Sequence, residues 1–327
     1  MNKILHFGRS KKLGVIVMAV AAAWSGLGTT SCVRRNLYTK PDEGRVIVNF
    51  DWKNKVEGTT APEKMSVYLY NEDGSKLYHG ETGEDGSYQG TVASGKYKVL
   101  AFNEGIEGIK FADIESFEKA YAYALPLNNK ALEEDEWIKE AGGWLYSGQF
   151  AELTVAKEDT VVTTLAPAPR VQRVVVKILV NGDADKVTGL QMALTGVASS
   201  IRLCSGECTG GYKAVVPLNH QVEQVDGSVL YSANALVFGI RPSEGESQGS
   251  NSVRLDLNFD NGGSQQIEAE IGPEIIDNPD AIEITIDIDV EVSATSQGGF
   301  TAQITDFEVT TDDMIVNNRP NTSGAGN

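Results

Sequence analysis

Cysteine and histidine are scarce in this chain, three of each among 327 residues. His6 lies in the first ten residues, so a Ser-His-Asp triad would need His79 or His220, and neither sits in a catalytic motif. HExxH, Walker and dinucleotide glycine loops and the Gly-x-Ser-x-Gly elbow are all missing, and with them the enzyme classes that carry those signatures. Positive charge is also short: 28 Lys and Arg face 45 Asp and Glu. A surface so acidic repels polynucleotides, so no nucleic-acid partner is expected. Beyond the first thirty residues no apolar run is long enough to cross a bilayer as a helix. Only the paired carboxylates of a glycosidase escape these exclusions, because such a pair can come from distant strands. The sequence points to no catalytic set, and a non-enzyme is expected.

What is present begins with a leader. Lys3, Arg9, Lys11 and Lys12 precede LGVIVMAVAAAWSGLG, an apolar stretch rich in small residues, and then Thr29-Thr30-Ser31-Cys32. This order is that of a secretory signal peptide over residues 1–31. A cysteine directly after small residues reads as a lipoprotein box, in which the Cys32 thiol takes diacylglycerol and becomes the mature N-terminus. Each buried methylene of the acyl chains adds roughly 0.8 kcal/mol, so several chains on one residue form a durable membrane anchor. The competing reading is a soluble exported protein. Removing the leader takes the basic count from 28 to 24 against 45 acids, which moves the formal charge from −17 to −21.

Cys204 and Cys208 remain, four apart around Gly206 in LCSGEC. In an oxidising envelope this spacing favours a small disulfide loop over two thiols. Zinc would need four ligands, and His220 is the only imidazole nearby. No metal and no cofactor are expected.

The recurring period along the chain is two, which predicts an all-β protein. RVIVNFDW, MSVYLYN, GSYQGTV and GKYKVLAFN alternate between turn-forming NEDGS and GEDGS stretches, the pattern of an antiparallel sheet. The 296 residues from Cys32 onward exceed one comfortable core, so two domains follow. Residues 32–43 read as a tether, 44–167 as a first sandwich, 168–316 as a second and 317–327 as a disordered tail. Residues 111–141 lose the alternation and read as an insertion with one or two short helices. Its acids Glu133, Glu134, Asp135 and Glu136 suit a helix start. Pro167 and Pro169 predict a stiff connector at 166–170, where the domains divide. In AIEITIDIDVEV the isoleucines face one way and Glu283, Asp287, Asp289 and Glu291 the other, a charged row suited to guarding a sheet edge.

The box at Cys32, RRNLY, VNFDW, MSVYLYNEDG and above all Gly95, Tyr97, Val99, Leu100, Ala101, Phe102 and Asn103 resemble the Bacteroidales fimbrial anchor lipoproteins of the FimB-like group. The likeness is most specific over residues 32–110. It implies two consecutive transthyretin-like β-sandwiches on a lipid-anchored N-terminus. It also implies an outer-membrane location and a role as fimbrial anchor or accessory subunit in adhesion, with fimbrial subunits as partners. Acidic residues after the cysteine accompany surface export in that group, whereas Val33, Arg34 and Arg35 stand here, so the side of the membrane stays open. Strand addition is the expected mode of partner binding. A second reading is a glycan-binding lipoprotein of a polysaccharide uptake system, with Trp52, Trp137 or Trp144 stacking on sugar rings.

Overall fold

The computed structural model describes residues 42–127, 136–209, 214–240, 251–271 and 281–312. Cys32, the leader, most of the tether, Glu133 to Asp135 and the tail lie outside the described residues. From Pro41 onward the chain forms one compact unit.

In its first half the strands are β1 (Glu43–Phe50), β2 (Ser66–Asn71), β3 (Lys76–Glu81), β4 (Tyr88–Ala93), β5 (Gly95–Phe102), β6 (Ile109–Ala112), β7 (Tyr121–Ala124), β8 (Glu136–Trp137), β9 (Tyr146–Val155), β10 (Thr160–Leu165) and β11 (Ala168–Pro169). The second half holds β12 (Gln172–Gly182), β13 (Val187–Val197), β14 (Ser200–Arg202), β15 (Cys208–Thr209), β16 (Ala214–Leu218), β17 (His220–Val225), β18 (Ser228–Val237), β19 (Ser252–Phe259), β20 (Ser264–Glu270), β21 (Glu283–Ala294) and β22 (Phe300–Asp312). The protein is all-β, with two consecutive sandwiches. One has sheets ordered β10-β1-β4 and β11-β9-β5-β2-β3; the other has β17-β18-β12-β21-β22 and β20-β19-β13-β16-β8.

The halves repeat one seven-strand unit. β1 pairs parallel with β10 and antiparallel with β4, as β12 does with β21 and β18. In the facing sheets β9-β5-β2-β3 corresponds to β20-β19-β13-β16, antiparallel throughout. Each unit is a two-layer solution to burying one face of each sheet.

Burial explains the motif that carried the family likeness. Val99, Leu100, Ala101 and Phe102 all have 0% exposure, because β5 is covered on both faces. Val67, Leu69, Val99 and Ala101 fill the first sandwich, whereas Tyr68, Tyr70, Leu100 and Phe102 turn away from it. Those four pack with Phe117, Ala120, Ala122 and Leu203 in a core that continues into the second sandwich through Val174, Val176 and Ile286. A near-continuous apolar run is what a doubly covered strand requires.

Three expectations are corrected. The 111–141 segment has no helix among its described residues. It carries β6, β7 and β8, with β7 pairing with β14 and β8 with β16 of the second half. Ala and Tyr alternate in YAYA, a strand period that the surrounding helix formers masked. Nor is 166–170 a bare connector. Ala168 and Pro169 pair with Ser147 and Tyr146 at the sheet edge, where a proline's missing donor costs nothing. Finally, β21 is no edge strand, since it lies between β12 and β22. Its acids meet basic partners on β12 instead, Glu283 with Arg173 and Asp287 with Lys177.

Candidate functional site

Sheet edges are the natural places to look for a site in an all-β protein, because their unpaired backbone groups can accept a further strand. The repeat makes the edges comparable. In the second sandwich, β17 covers the outer side of β18 and β22 covers the outer side of β21. Among the described residues no strand covers the corresponding sides of β4 and β10.

The edge of β4 is closed by other means. The Tyr78 hydroxyl accepts a hydrogen bond from the Ala93 N–H at 2.9 Å, and the Tyr97 hydroxyl donates to the Ala93 carbonyl at 2.7 Å. Tyr88 lies so close over Gly80 that a Cβ there would come within 2.7 Å of its ring.

Among the described residues β10 has no such cover. The Arg45 N–H donates to the Asp159 carbonyl and the Asp51 N–H to the Leu165 carbonyl, each at 2.8 Å. In a parallel ladder these bonds fix the alternation: Val161, Thr163 and Leu165 direct their backbone groups at β1, and Val162 and Thr164 direct theirs outward. Thr163 and Leu165 are buried, whereas Val162 is 58% exposed, the most of any large apolar side chain among the described residues. Edges are normally guarded by charge, proline or brevity. Lys110 marks β6, Glu223 β17, Glu268 β20 and Glu308 β22, while β11 carries Pro169. The sequence of β10, TVVTTL, has neither charge nor proline and is almost entirely β-branched.

The cysteine pair is not bridged. Cys208 follows the β14–β15 turn, and its Sγ donates to the Phe238 carbonyl at 3.5 Å. Cys204 instead faces the neighbourhood of Tyr70, Glu118 and Arg170, and burial pushes its thiol pKa up. In this structure the two side chains serve different neighbours and are not bridged to each other. Gly206 holds the turn at φ +78°, where an added Cβ would lie 2.2 Å from Arg170 Nη1. The Arg170 Nε in turn donates to Ser147 Oγ at 2.5 Å, and the Ser147 hydroxyl donates to the Leu203 carbonyl at 2.6 Å. This loop is a joint between the halves.

Three of the remaining sequence candidates sit in ring contacts. His79 stacks on Tyr68 at 4.2 Å, and His220 stands edge-on to Tyr231 at 5.2 Å. Trp52 packs edge-on against Tyr146 at 5.6 Å. No group of three His, Cys, Asp or Glu residues suited to a metal occurs among the described residues. Sequence reasoning did not single out β10, although an uncharged TVVTTL beside charged strands was a readable signal.

The family described as a domain of unknown function, DUF5119, matches residues 31–219, more than half the chain. The chain belongs to the DUF5119 family. The match starts beside Cys32 and reaches the end of β16, which leaves β17 to β22 outside it. A Bacteroides ovatus protein bearing the name of a fimbrium anchoring subunit, Fim4B, is 25% identical over 224 residues, 68% of the DUF5119 chain and 64% of its own length. The chain thus matches less than two thirds of that relative. Among solved structures, a Bacteroides ovatus protein described as an adhesin superposes with a TM-score of 0.56 at 18% identity, covering 82% of this chain and 95% of its own. The fimbrial anchor protein Mfa2 of Porphyromonas gingivalis gives 0.55 at 11% identity, with 82% and 98% covered. These likenesses bear out the fold and the resemblance to Bacteroidales fimbrial anchors.

Proposed function

We propose that this DUF5119 protein is a lipid-anchored protein of the outer membrane that holds or accompanies a fimbrium, attached through Cys32 and binding a fimbrial subunit by strand addition along β10. The observation that carries the reading is the uncharged β10 edge, which no strand of the described residues covers, set against the same edge of the second sandwich, which β22 covers. An incoming strand would pair with the outward groups of Val162 and Thr164 and cover the half-exposed Val161. The Fim4B and Mfa2 likenesses support the fimbrial context. The small-residue cluster before Cys32 supports the anchor.

The test is deletion of the gene and complementation with the intact, Cys32→Ser and Val162→Pro forms, followed by counting fimbriae on cells and in the medium. Cys32→Ser is expected to release the protein from the envelope and shed fimbriae. Val162→Pro is expected to leave the protein in place while fimbriae are lost or shed. Cell-attached fimbriae at normal number and length in both strains would overturn the proposal.

A further inference from the structure

A cleft of about 540 Å³ lies on the outward face of the β20-β19-β13-β16-β8 sheet. Its volume falls in the range of small-ligand sites, roughly 300–1,000 Å³. The register defines its composition. Leu190, Met192 and Leu194 of β13 point into the sandwich core, so Gln191 and Ala193 face outward. One cross-strand row runs Pro217, Ala193, Arg254 and Glu268. The next runs Gln191, Asp256 and Gln266. Trp137 closes the apolar end, carried there by β8, which joins β16 with Trp137 opposite Val215.

This arrangement has two sides of different chemistry. Trp137 is half-buried and its indole N–H has no exposed surface, so its side chain presents ring carbon to the cleft. Pro217 and the small Ala193 extend that apolar side. Opposite it stand two primary amides and a carboxylate, of Gln191, Gln266 and Asp256, whose side chains make no hydrogen bond or ion pair among the described residues. Arg254 is already engaged with Glu268 at 3.0 Å. With Arg254 paired to Glu268, Asp256 leaves the cleft one formal negative charge in a chain that stands at −17. A polyanion finds no positive surplus here, and a purely apolar ligand would strand the polar wall.

We propose that this cleft binds a neutral saccharide unit. A pyranose has the same two-sided chemistry, with a C–H face that packs on aromatic carbon and a rim of hydroxyls that both donate and accept. Amides serve both roles, and Asp256 accepts a charge-assisted hydrogen bond. The cleft lies on the second sandwich and its neighbouring β8, whereas β10 belongs to the first, so the proposal stands apart from the fimbrial reading.

The test uses the chain from residue 33 onward and saturation-transfer NMR with the methyl glycosides of glucose, galactose, mannose and N-acetylglucosamine at millimolar concentration. At least one is expected to receive saturation, strongest at the ring protons of one face. The double variant Gln191→Ala, Asp256→Ala removes two outward side chains that hold nothing in the fold, and its unchanged melting curve verifies that. It is expected to weaken the bound glycoside by about tenfold or more, the scale of one charge-assisted hydrogen bond. Val162→Pro is expected to leave sugar binding unchanged, which separates this site from the β10 edge. Absence of saturation with all four glycosides, or binding undiminished in the double variant, would overturn the proposal.

Discussion

Replacing Val162 by proline probes the β10 edge without dismantling it. The Val162 N–H points away from β1, so proline removes a donor that no strand of the described protein uses. The side chain is 58% exposed, so its loss forfeits less than half of the roughly 1.5–3 kcal/mol that a fully buried valine contributes. A fixed φ also restricts the unfolded chain, which returns about 0.4–1 kcal/mol if the strand accepts the ring. The net change in stability is therefore expected within about 1 kcal/mol. Thr163→Pro is the contrasting substitution. Thr163 is buried, and the ladder directs its N–H at the Ile47 carbonyl. Removing that donor strands a buried acceptor at about 1–3 kcal/mol, and the ring also disturbs the pairing with β1. Urea unfolding of both variants measures the two costs. Affinity for purified fimbrial subunits, read by surface plasmon resonance, should fall at least about tenfold in Val162→Pro from one lost hydrogen bond and a displaced backbone. Equal destabilisation by the two prolines would refute the assigned backbone alternation. Unchanged affinity in a folded Val162→Pro would refute the edge.

Other consequences are open to simpler measurements. The shared core predicts that both sandwiches unfold in one transition. Leu203→Ala should cost about 2–5 kcal/mol and shift tryptophan fluorescence and far-ultraviolet circular dichroism together, and two separated transitions would contradict the joint. Denatured, non-reduced protein lacking residues 1–32 should titrate two thiols, with Cys204 slow to alkylate while folded because burial raises its pKa; an oxidised pair would restore the disulfide. Backbone hydrogen bonds from Ser75 and Ser87 hold Asp73 and Asp85 below the usual carboxylate range. Depressed folded-state values add stability above the unfolded pKa and lose it as pH falls through the folded one, so Asp85→Asn should flatten the acid limb of a stability-against-pH curve, and an unaltered limb would count against the turn. Asp287 stands opposite Glu308 and Asp289 opposite Asp306, so added salt should raise the melting temperature by screening, and a fall would argue against the β21–β22 register.

The strands were legible where burial is one-sided. β1, β19 and β21 alternate cleanly in the sequence and in the fold, because water on one face enforces the period. The family motif was also legible, since residues 99–102 are covered on both sides and tolerate only apolar groups. What escaped was long-range. Nothing local tells YAYA that its partner is Ser200-Ile201-Arg202, nearly eighty residues away, or that Glu136 and Trp137 extend a sheet of the other half. The charged row of β21 looked like an edge guard because a strand's own sequence does not reveal whether another strand follows it into the sheet. The cleft proposed for a saccharide was invisible for the same reason: its walls come from β8, β13, β16, β17, β19 and β20, and only Trp137 and His220 among them had been singled out.

The two copies of the seven-strand unit differ chiefly in what has been added to them. The second gains β17 and β22 on one sheet and β8 on the other, and these additions carry Glu223, Glu308 and Glu136 on the new outer strands. Among the described residues the corresponding sheet of the first has three strands and no addition. Stability does not demand this difference, since a strand that follows β10 could have covered it as β22 covers β21. The chain leaves β10 through Ala166 and Pro167 instead and pairs β11 with the facing sheet. An uncovered, uncharged, β-branched edge is an aggregation hazard, and edges of that kind are ordinarily blunted. Its persistence beside a copy in which β22 covers the equivalent strand β21 accords with the proposed site for a partner strand. The joint formed by β7 with β14 and β8 with β16 complements this arrangement, because it couples the two units into one compact body, so that a pull on β10 is shared with the second sandwich.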